Sequence, residues 1–306
     1  MKLQQLKYVR EIARQELSVS AAANALHASQ PGVSNQVQLL EQELGLKIFE
    51  RHGKRLTNLT AVGKSVVDMA DRVLLDVENI RQLAADNRDA QTGTLSIGTT
   101  HTQARYALPN AIKAFSLRYP KVHLNIVQGT PTDVAEMAAT GRVDIAIATE
   151  GLSKFESLAI LPCYDWNRSI VVPPAHPLLS ESKLTLKAIA DYPILTYVMG
   201  FTGRAQQDQA FIDQHLEPNV IFTATDADVI KTYVGLELGV GIIASMAFDQ
   251  HKDSPLKALD ASHLFKPSTT HLGIRRGSYL RAYSYAFIEL FASHLNKDTI
   301  EKAIQL

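Results

Sequence analysis

SVSAAANALHASQPGVSNQVQLLEQELG, residues 18–45, carries the densest local signal in the chain. Ala21, Ala22, Ala25 and Leu26 predict a short helix that packs closely on a neighbour, and His27 and Ala28 make a turn after it. Ser29 is an N-cap whose hydroxyl can accept from a free backbone N–H. Pro31 falls in the first turn, where a missing N–H costs nothing. On the second helix Val33, Val37, Leu40 and Leu44 share one face, while Gln30, Ser34, Asn35 and Gln38 point elsewhere. Side chains with both donors and acceptors at the amino end of a helix suit base edges in a DNA major groove. Downstream, LKIFERHGKRLTNLT (residues 46–60) reads as strand, turn and strand, with Arg51, His52, Lys54 and Arg55 at the tip. Such a wing can grip phosphates. A helical pair with a merely solvated polar face is the plainer alternative; the basic hairpin and the long helix beyond it favour DNA.

Working outward, 306 residues exceed the usual one-domain size, and 46% hydrophobic with 20% charged residues excludes a largely disordered chain. Lys+Arg and Asp+Glu are both 31, so net charge alone points to no polyanionic partner. The average hides a local imbalance, because residues 1–60 hold eight Lys or Arg against five Glu, a net of +3. The single cysteine, Cys163, excludes an internal disulfide, fits a reducing compartment and reads as an apolar filler. No basic-then-apolar leader opens the chain, and no apolar run approaches the ~18 residues of a membrane span. A soluble, cytoplasmic protein without a membrane partner is expected.

Residues 60–87 form one helical pattern with apolar Val62, Val66, Met69, Val73, Val77, Ile80 and Ala84 at alternating steps of three and four. At ~1.5 Å per residue the rod is roughly 42 Å long. The stripe fits either packing on its own domain or a dimerising linker, and its narrowness favours the linker. The polar segment DNRDAQTG (86–93) reads as a hinge. Beyond it strands at 94–98, 122–129, 143–149, 169–172, 194–197, 220–223 and 241–243 alternate with helices at 104–119, 132–140, 203–215 and 226–238. That alternation predicts an α/β fold.

Enzymatic readings find little support: GxSxG, P-loop, HExxH and metal-spaced Cys/His patterns are missing from the sequence. GLELGVG (235–241) ends a helix before a strand, the reverse of the order that dinucleotide binding needs. A different pattern stands out. Thr99, Thr100, Thr102 and Gln103 lie between a strand and a helix start, Thr202 and Gly203 at another helix start, and Thr149 at a strand end. Hydroxyls and free N–H groups at two helix amino ends suit an anion. Taken singly, each threonine is a cap, Trp166 is core, Arg105 and Arg204 are surface cations, and His101 is structural.

The order of helix-turn-helix, basic wing, long helix and α/β half resembles the LysR-type transcriptional regulators. SQPGVSNQVQLLEQELGLKIFER (29–51) and LTNLTAVGK (56–64) match that family's signature in place and spacing. GTTHTQARYALPNAIKAFSLRYP (98–120), IAIATE (145–150), LPCYDWNRSIVV (161–172), GFTGR (200–204), FTATDADVIKTYV (222–234) and GVGIIASMA (239–247) are similar to its branch activating cysteine biosynthesis and sulfur assimilation. Many relatives carry a basic residue after the recognition-helix serine, where this chain has Asn35.

The resemblance implies a winged helix-turn-helix DNA-binding domain at 1–59, a linker and dimerisation helix at 60–87, and an effector domain at 88–306. The effector domain would hold two Rossmann-like subdomains, 93–162 with 267–306 and 163–266, around a cleft like that of periplasmic binding proteins. DNA contacts are implied for Ser29, Gln30, Pro31, Ser34, Asn35, Gln38, Arg51, Lys54 and Arg55, and effector contacts for Thr100, Thr102, Gln103, Thr149, Trp166 and Thr202. No cofactor is implied. The implied effector is a small anion: sulfate, an acetylserine, thiosulfate or adenosine phosphosulfate. The implied partners are double-stranded promoter DNA, RNA polymerase and further copies in a homodimer or homotetramer, with autorepression beside activation. A solute-binding protein is the competing class, and the winged helix weighs against it.

Overall fold

Leu6, Val9 and Ile12 recur at helical spacing and are all buried, so they give α1 (Leu3–Arg14) a single inward face. A computed structural model describes residues 1–53 and 55–305, and the chain divides into two compact units, Met1–Ala85 and Asp86–Leu306. In the first, α1 packs on α2 (Val19–Ala25) and α3 (Gln30–Leu44). The Ser18 hydroxyl accepts from the Ala21 N–H at 3.2 Å, and the Ser29 hydroxyl accepts from that of Gly32 at 3.3 Å. Both helix starts are therefore set by local capping.

Two details differ from the sequence pattern. Ala22 and Ala23 are the buried residues of α2, rather than Ala21, Ala25 and Leu26. Leu44 is 38% exposed, because it lies in the last turn beyond the core, and Glu41 takes the inward position.

The wing is an antiparallel pair, β1 (Phe49–His52) and β2 (Arg55–Leu59). Then comes α4 (Ala61–Arg88), which buries Gly63, Ala70 and Leu74 and pairs Asp71 with Arg14 at 3.1 Å. A flanking face leaves Val62, Met69, Val73, Ile80 and Leu83 exposed.

The second unit holds, among the described residues, two five-stranded sheets. Its elements run β3 (Gly93–Thr99), a π-helical turn Gln103–Ala107, α5 (Leu108–Arg118), β4 (Val122–Gln128), α6 (Pro131–Ala139), β5 (Ile145–Ala148) and β6 (Leu158–Trp166). After these come β7 (Arg168–Val172), α7 (Leu186–Ala190), β8 (Ile194–Tyr197), α8 (Arg204–Ile212), β9 (Val220–Ala224), α9 (Ala227–Gly235), β10 (Val240–Ala244) and β11 (Lys257–Asp260). The chain closes with β12 (Ser268–Arg275), α10 (Ala282–Phe291) and α11 (Lys297–Gln305). One sheet has the order β4-β3-β5-β12-β6 and the other β11-β7-β10-β8-β9. In each, four strands run the same way and one runs against them, β12 in the first sheet and β7 in the second.

Pairing of Trp166 with Ser268 keeps all of β6 in the first sheet, so the expected change of subdomain after residue 162 falls four residues later, after Trp166. The strand is hard to read because Pro162 interrupts it. The register slips between Thr270 and His271, leaving Cys163 as a bulge beside a proline that cannot donate to the ladder.

Candidate effector cleft and DNA-reading surface

On α3, Ser29, Gln30, Pro31, Asn35 and Gln38 are exposed and Ser34 is half-buried. Arg55 is exposed on the wing, and Lys54 lies outside the described residues. Between helix and wing sits a group that the sequence reading passed over. Glu41 is buried; its Oε1 accepts from the N–H groups of Ile48 at 2.9 Å and Phe49 at 3.1 Å. Its Oε2 faces Arg51 at 3.3 Å and Lys47 at 3.7 Å. Charge-assisted bonds of this kind are the strong ones, so they fix the wing against the helix that carries Gln30, Ser34, Asn35 and Gln38. Arg51, expected as a phosphate-gripping cation, is thereby also the partner of a buried carboxylate. A Glu one turn after buried Val37 was the available signal.

In the second unit the strand ends of both sheets converge on the expected threonines. Thr99 is buried and donates to the Ile147 carbonyl at 3.1 Å, which ties β3 to β5 just before Thr100, Thr102 and Gln103, all buried. Thr149 is half-buried past β5, and Thr202 is buried ahead of α8. Trp166 is buried at the end of β6. Gln103 is largely committed within the protein: its amide donates to Thr270 Oγ1 at 3.0 Å, and its carbonyl accepts from the Tyr164 hydroxyl. One amide N–H remains. By contrast, among the described residues the Thr102 hydroxyl, the Trp166 indole N–H and His101 Nδ1 are buried without a hydrogen-bond partner of good geometry, although the Thr102 hydroxyl lies within reach of the Tyr197 hydroxyl.

Arg168 is fully buried and organises the second sheet's side of the cleft. It donates to the Gly203 carbonyl at 2.7 Å, Ser268 Oγ at 2.9 Å and the Lys266 carbonyl at 3.2 Å, and its plane lies 5.3 Å from the Trp166 ring. Burial lowers its pKa to about 10 against the pull of Glu150. Glu150 follows Thr149, and its carboxylate accepts from the Gly203 N–H. Burial pushes its pKa up, opposed by the Gly203 amide and Arg168. Neither residue was singled out from sequence.

Further round the cleft the Tyr106 hydroxyl donates to Asp228 at 2.7 Å, joining the π-helical turn to α9. Burial alone would raise Asp228, yet Tyr106, Lys231 and Arg105 hold it below the usual carboxylate range. His101, Asp226 and Asp228 could reach a common metal ion. However, Asp228 is engaged by those cations and Asp226 caps α9 through the Val229 N–H at 3.0 Å, so the cluster is already a set of ion pairs and caps. Arg204 turns away to Asp208 and the Tyr197 carbonyl, both at 2.6 Å. Burial pushes the Cys163 thiol up to about 12, which leaves it inert. Among the described residues no helix is long and apolar enough to cross a membrane.

Comparison with known proteins agrees with this architecture. Residues 3–64 match the model of the bacterial regulatory helix-turn-helix protein, lysR family, and residues 88–296 that of the LysR substrate binding domain. The chain is 50% identical over 300 residues to the HTH-type transcriptional regulator SsuR of Burkholderia cenocepacia, covering 98% of this chain and 97% of that one. It is 49% identical over 306 residues to the HTH-type transcriptional regulator CysB of Haemophilus influenzae, covering 100% and 94%. The crystal structure of the cofactor-binding domain of the Cbl transcriptional regulator superposes with a TM-score of 0.68 at 43% identity, covering 70% of this chain and 93% of that one.

Proposed function

The chain belongs to the LysR family of bacterial transcriptional regulators, and we propose that it switches genes of cysteine biosynthesis and sulfur assimilation in response to a small anion held between its effector sheets. It is a DNA-binding regulator rather than an enzyme. The regulon is supported by the resemblance of the effector half to the sulfur-assimilation branch and by the full-length similarity to SsuR and CysB.

One observation carries the anion reading. The Thr102 hydroxyl and the Trp166 indole N–H are buried without a well-formed hydrogen bond among the described residues, and a buried polar group left so costs about 1–3 kcal/mol. An oxyanion such as sulfate, or the carboxylate of an acetylserine, supplies acceptors for both. Thr100, Thr149, Thr202 and the spare Gln103 amide N–H complete a neutral set of donors in this reading. A ligand shifts an equilibrium only by its differential affinity for the states. Here it would favour one closure of the sheets, reorient paired effector domains and alter how the wings bend promoter DNA for RNA polymerase. The working form is a cytoplasmic homodimer or homotetramer that meets DNA through α3 and the wing and is joined through the exposed face of α4.

Calorimetry with sulfate and acetylserines, run beside footprinting of a sulfur-assimilation promoter, tests this. Ligand binding with a changed footprint is expected. Binding that leaves footprint and transcription unchanged removes the switch, and failure to shift such promoters removes the regulon.

A further inference from the structure

The anion already at the Thr202 helix start is the protein's own. We propose that Glu150 is a built-in competitor of the effector: its carboxylate caps the Gly203 amide that an incoming anion requires, so the anion enters as Glu150 takes up a proton. The inference rests on the reading of the cleft as an anion site, and assigns that site a regulating residue.

The geometry converges on one point from both sheets. Glu150 stands two residues past β5 of the first sheet, and its Oε1 accepts from Gly203, which precedes α8 of the second. The Thr202 amide also favours the ionised carboxylate. Gly203 has to be glycine. A Cβ there would lie 2.0 Å from Arg168 Nη2 and 2.6 Å from Ser268 Oγ, so any larger residue would displace the Arg168–Ser268 contact beside the amide. On the other side Gly151, at φ +87°, sends the chain away directly after Glu150, and a Cβ would lie 2.7 Å from the Pro131 backbone. Thr202 itself has φ +47°, rare for a β-branched residue; such outliers persist where the surroundings enforce them. The effect here is to turn consecutive amides toward one acceptor.

Two anions cannot share that acceptor position without repelling each other. The cation acting on Glu150 is Arg168, which donates three of its five N–H groups to Gly203, Ser268 and Lys266 and none to Glu150 among the described residues. An incoming dianion therefore raises the proton affinity of a carboxyl that burial has already raised. The sign follows from linkage: the complex binds more protons than the free protein, so affinity falls as pH rises through the window above the ordinary carboxylate value. The slope approaches about tenfold per pH unit when one proton is taken up. His101, Asp226, Asp228, Lys231 and Tyr106 are further ionisable groups of this cleft, and His101 receives its own control. Displacing Glu150 also removes a hydrogen bond between the two sheets, which couples anion entry to their relative position.

The test is calorimetry of the full chain with sodium sulfate, an anion that keeps its charge between about pH 5 and 8, in two buffers of different ionisation enthalpy. Wild type is expected to take up close to one proton and to bind more weakly at the alkaline end. Glu150→Gln keeps an acceptor for Gly203 but not the charge; it is expected to bind at least about tenfold tighter at alkaline pH, with a flat profile. His101→Asn is expected to keep the wild-type slope. Sulfate binding with the same affinity and slope in wild type and Glu150→Gln overturns the proposal while leaving the anion site standing. Absence of sulfate binding in every variant at every pH overturns both. Proton uptake by wild type needs no variant to fold, and a value near zero overturns the competitor outright.

Discussion

Glu41 and Glu150 are carboxylates withdrawn from water in the two units, and their surroundings differ. Glu41 has two amides on one oxygen and two cations on the other, and the groups around it are paired. Glu150 has the amide of Gly203 and a through-space attraction to Arg168, and in the same unit a threonine hydroxyl and an indole N–H are buried without partners among the described residues. A fully satisfied buried network favours a single arrangement, whereas a partly satisfied one leaves free energy for a ligand to recover. The first unit holds the groups around Glu41 in a fixed relation, and the second leaves buried donors without partners among the described residues.

Glu41→Ala is the most damaging break of this contrast. It strands the Ile48 and Phe49 amides and leaves Arg51 without its counter-ion, and opening a buried pair in this way costs about 3–5 kcal/mol. A large drop in melting temperature of the DNA-binding unit, with loss of binding to all DNA, is the expected result. Glu41→Gln retains an acceptor for the two amides and should lose less. Equal damage in both would mean that the charge pair with Arg51, and not the amide cap, holds the wing.

The same opposition runs along α4. Ala70 and Leu74 are covered on one face, while Val73 is 39% and Met69 57% exposed on a flanking one. Val73→Asp should leave the fold near wild-type stability and yet abolish dimers and, with them, operator affinity, since a single half-site contact is small. Sedimentation showing a dimer at micromolar concentration would place the contact elsewhere.

Sequence reading found what is encoded locally. Ser29 as cap, Pro31 in the first turn and the basic hairpin each act within a few residues, and the helix-turn-helix is where they put it. The placement of the threonines at strand ends and helix starts was legible for the same reason. Arg168 and Glu150 were not, because their roles depend on partners far along the chain: Arg168 meets Gly203 across 35 residues and Ser268 across 100, and Glu150 meets Gly203 across 53. The strand Ser268–Arg275 escaped likewise. It returns to the first sheet after the whole second sheet has been built, and its neighbours in sequence give no hint of its neighbours in space.

Within the cleft, Thr102 and Thr99 sharpen the contrast between reserved and committed groups. Thr99→Ala removes a buried hydrogen bond to Ile147 and should lower stability by about 1 kcal/mol. Thr102→Ala removes a hydroxyl without a well-formed hydrogen bond among the described residues, so stability should hold or rise slightly, while affinity for sulfate should drop by about 1.5–3 kcal/mol. Melting curves and calorimetry on the pair check this directly. If Thr102→Ala destabilises the fold and leaves sulfate affinity intact, the hydroxyl is structural.

The smallest effect separates two cations of the wing. Arg55 is exposed, so Arg55→Ala should leave the melting temperature unchanged and weaken binding to operator and random DNA alike. Its loss should reduce the slope of log affinity against log salt by about 1, the signature of one phosphate contact. Arg51→Ala should add a drop in stability to any such change, because Glu41 Oε2 then loses its guanidinium. Gln30→Ala, at the exposed start of α3, should spare both slope and stability and instead narrow the gap between operator and random DNA by about 1–3 kcal/mol. Binding titrations across a salt series give all three numbers. A wing substitution that altered sequence preference while Gln30→Ala altered only the salt slope would exchange the roles of helix and wing.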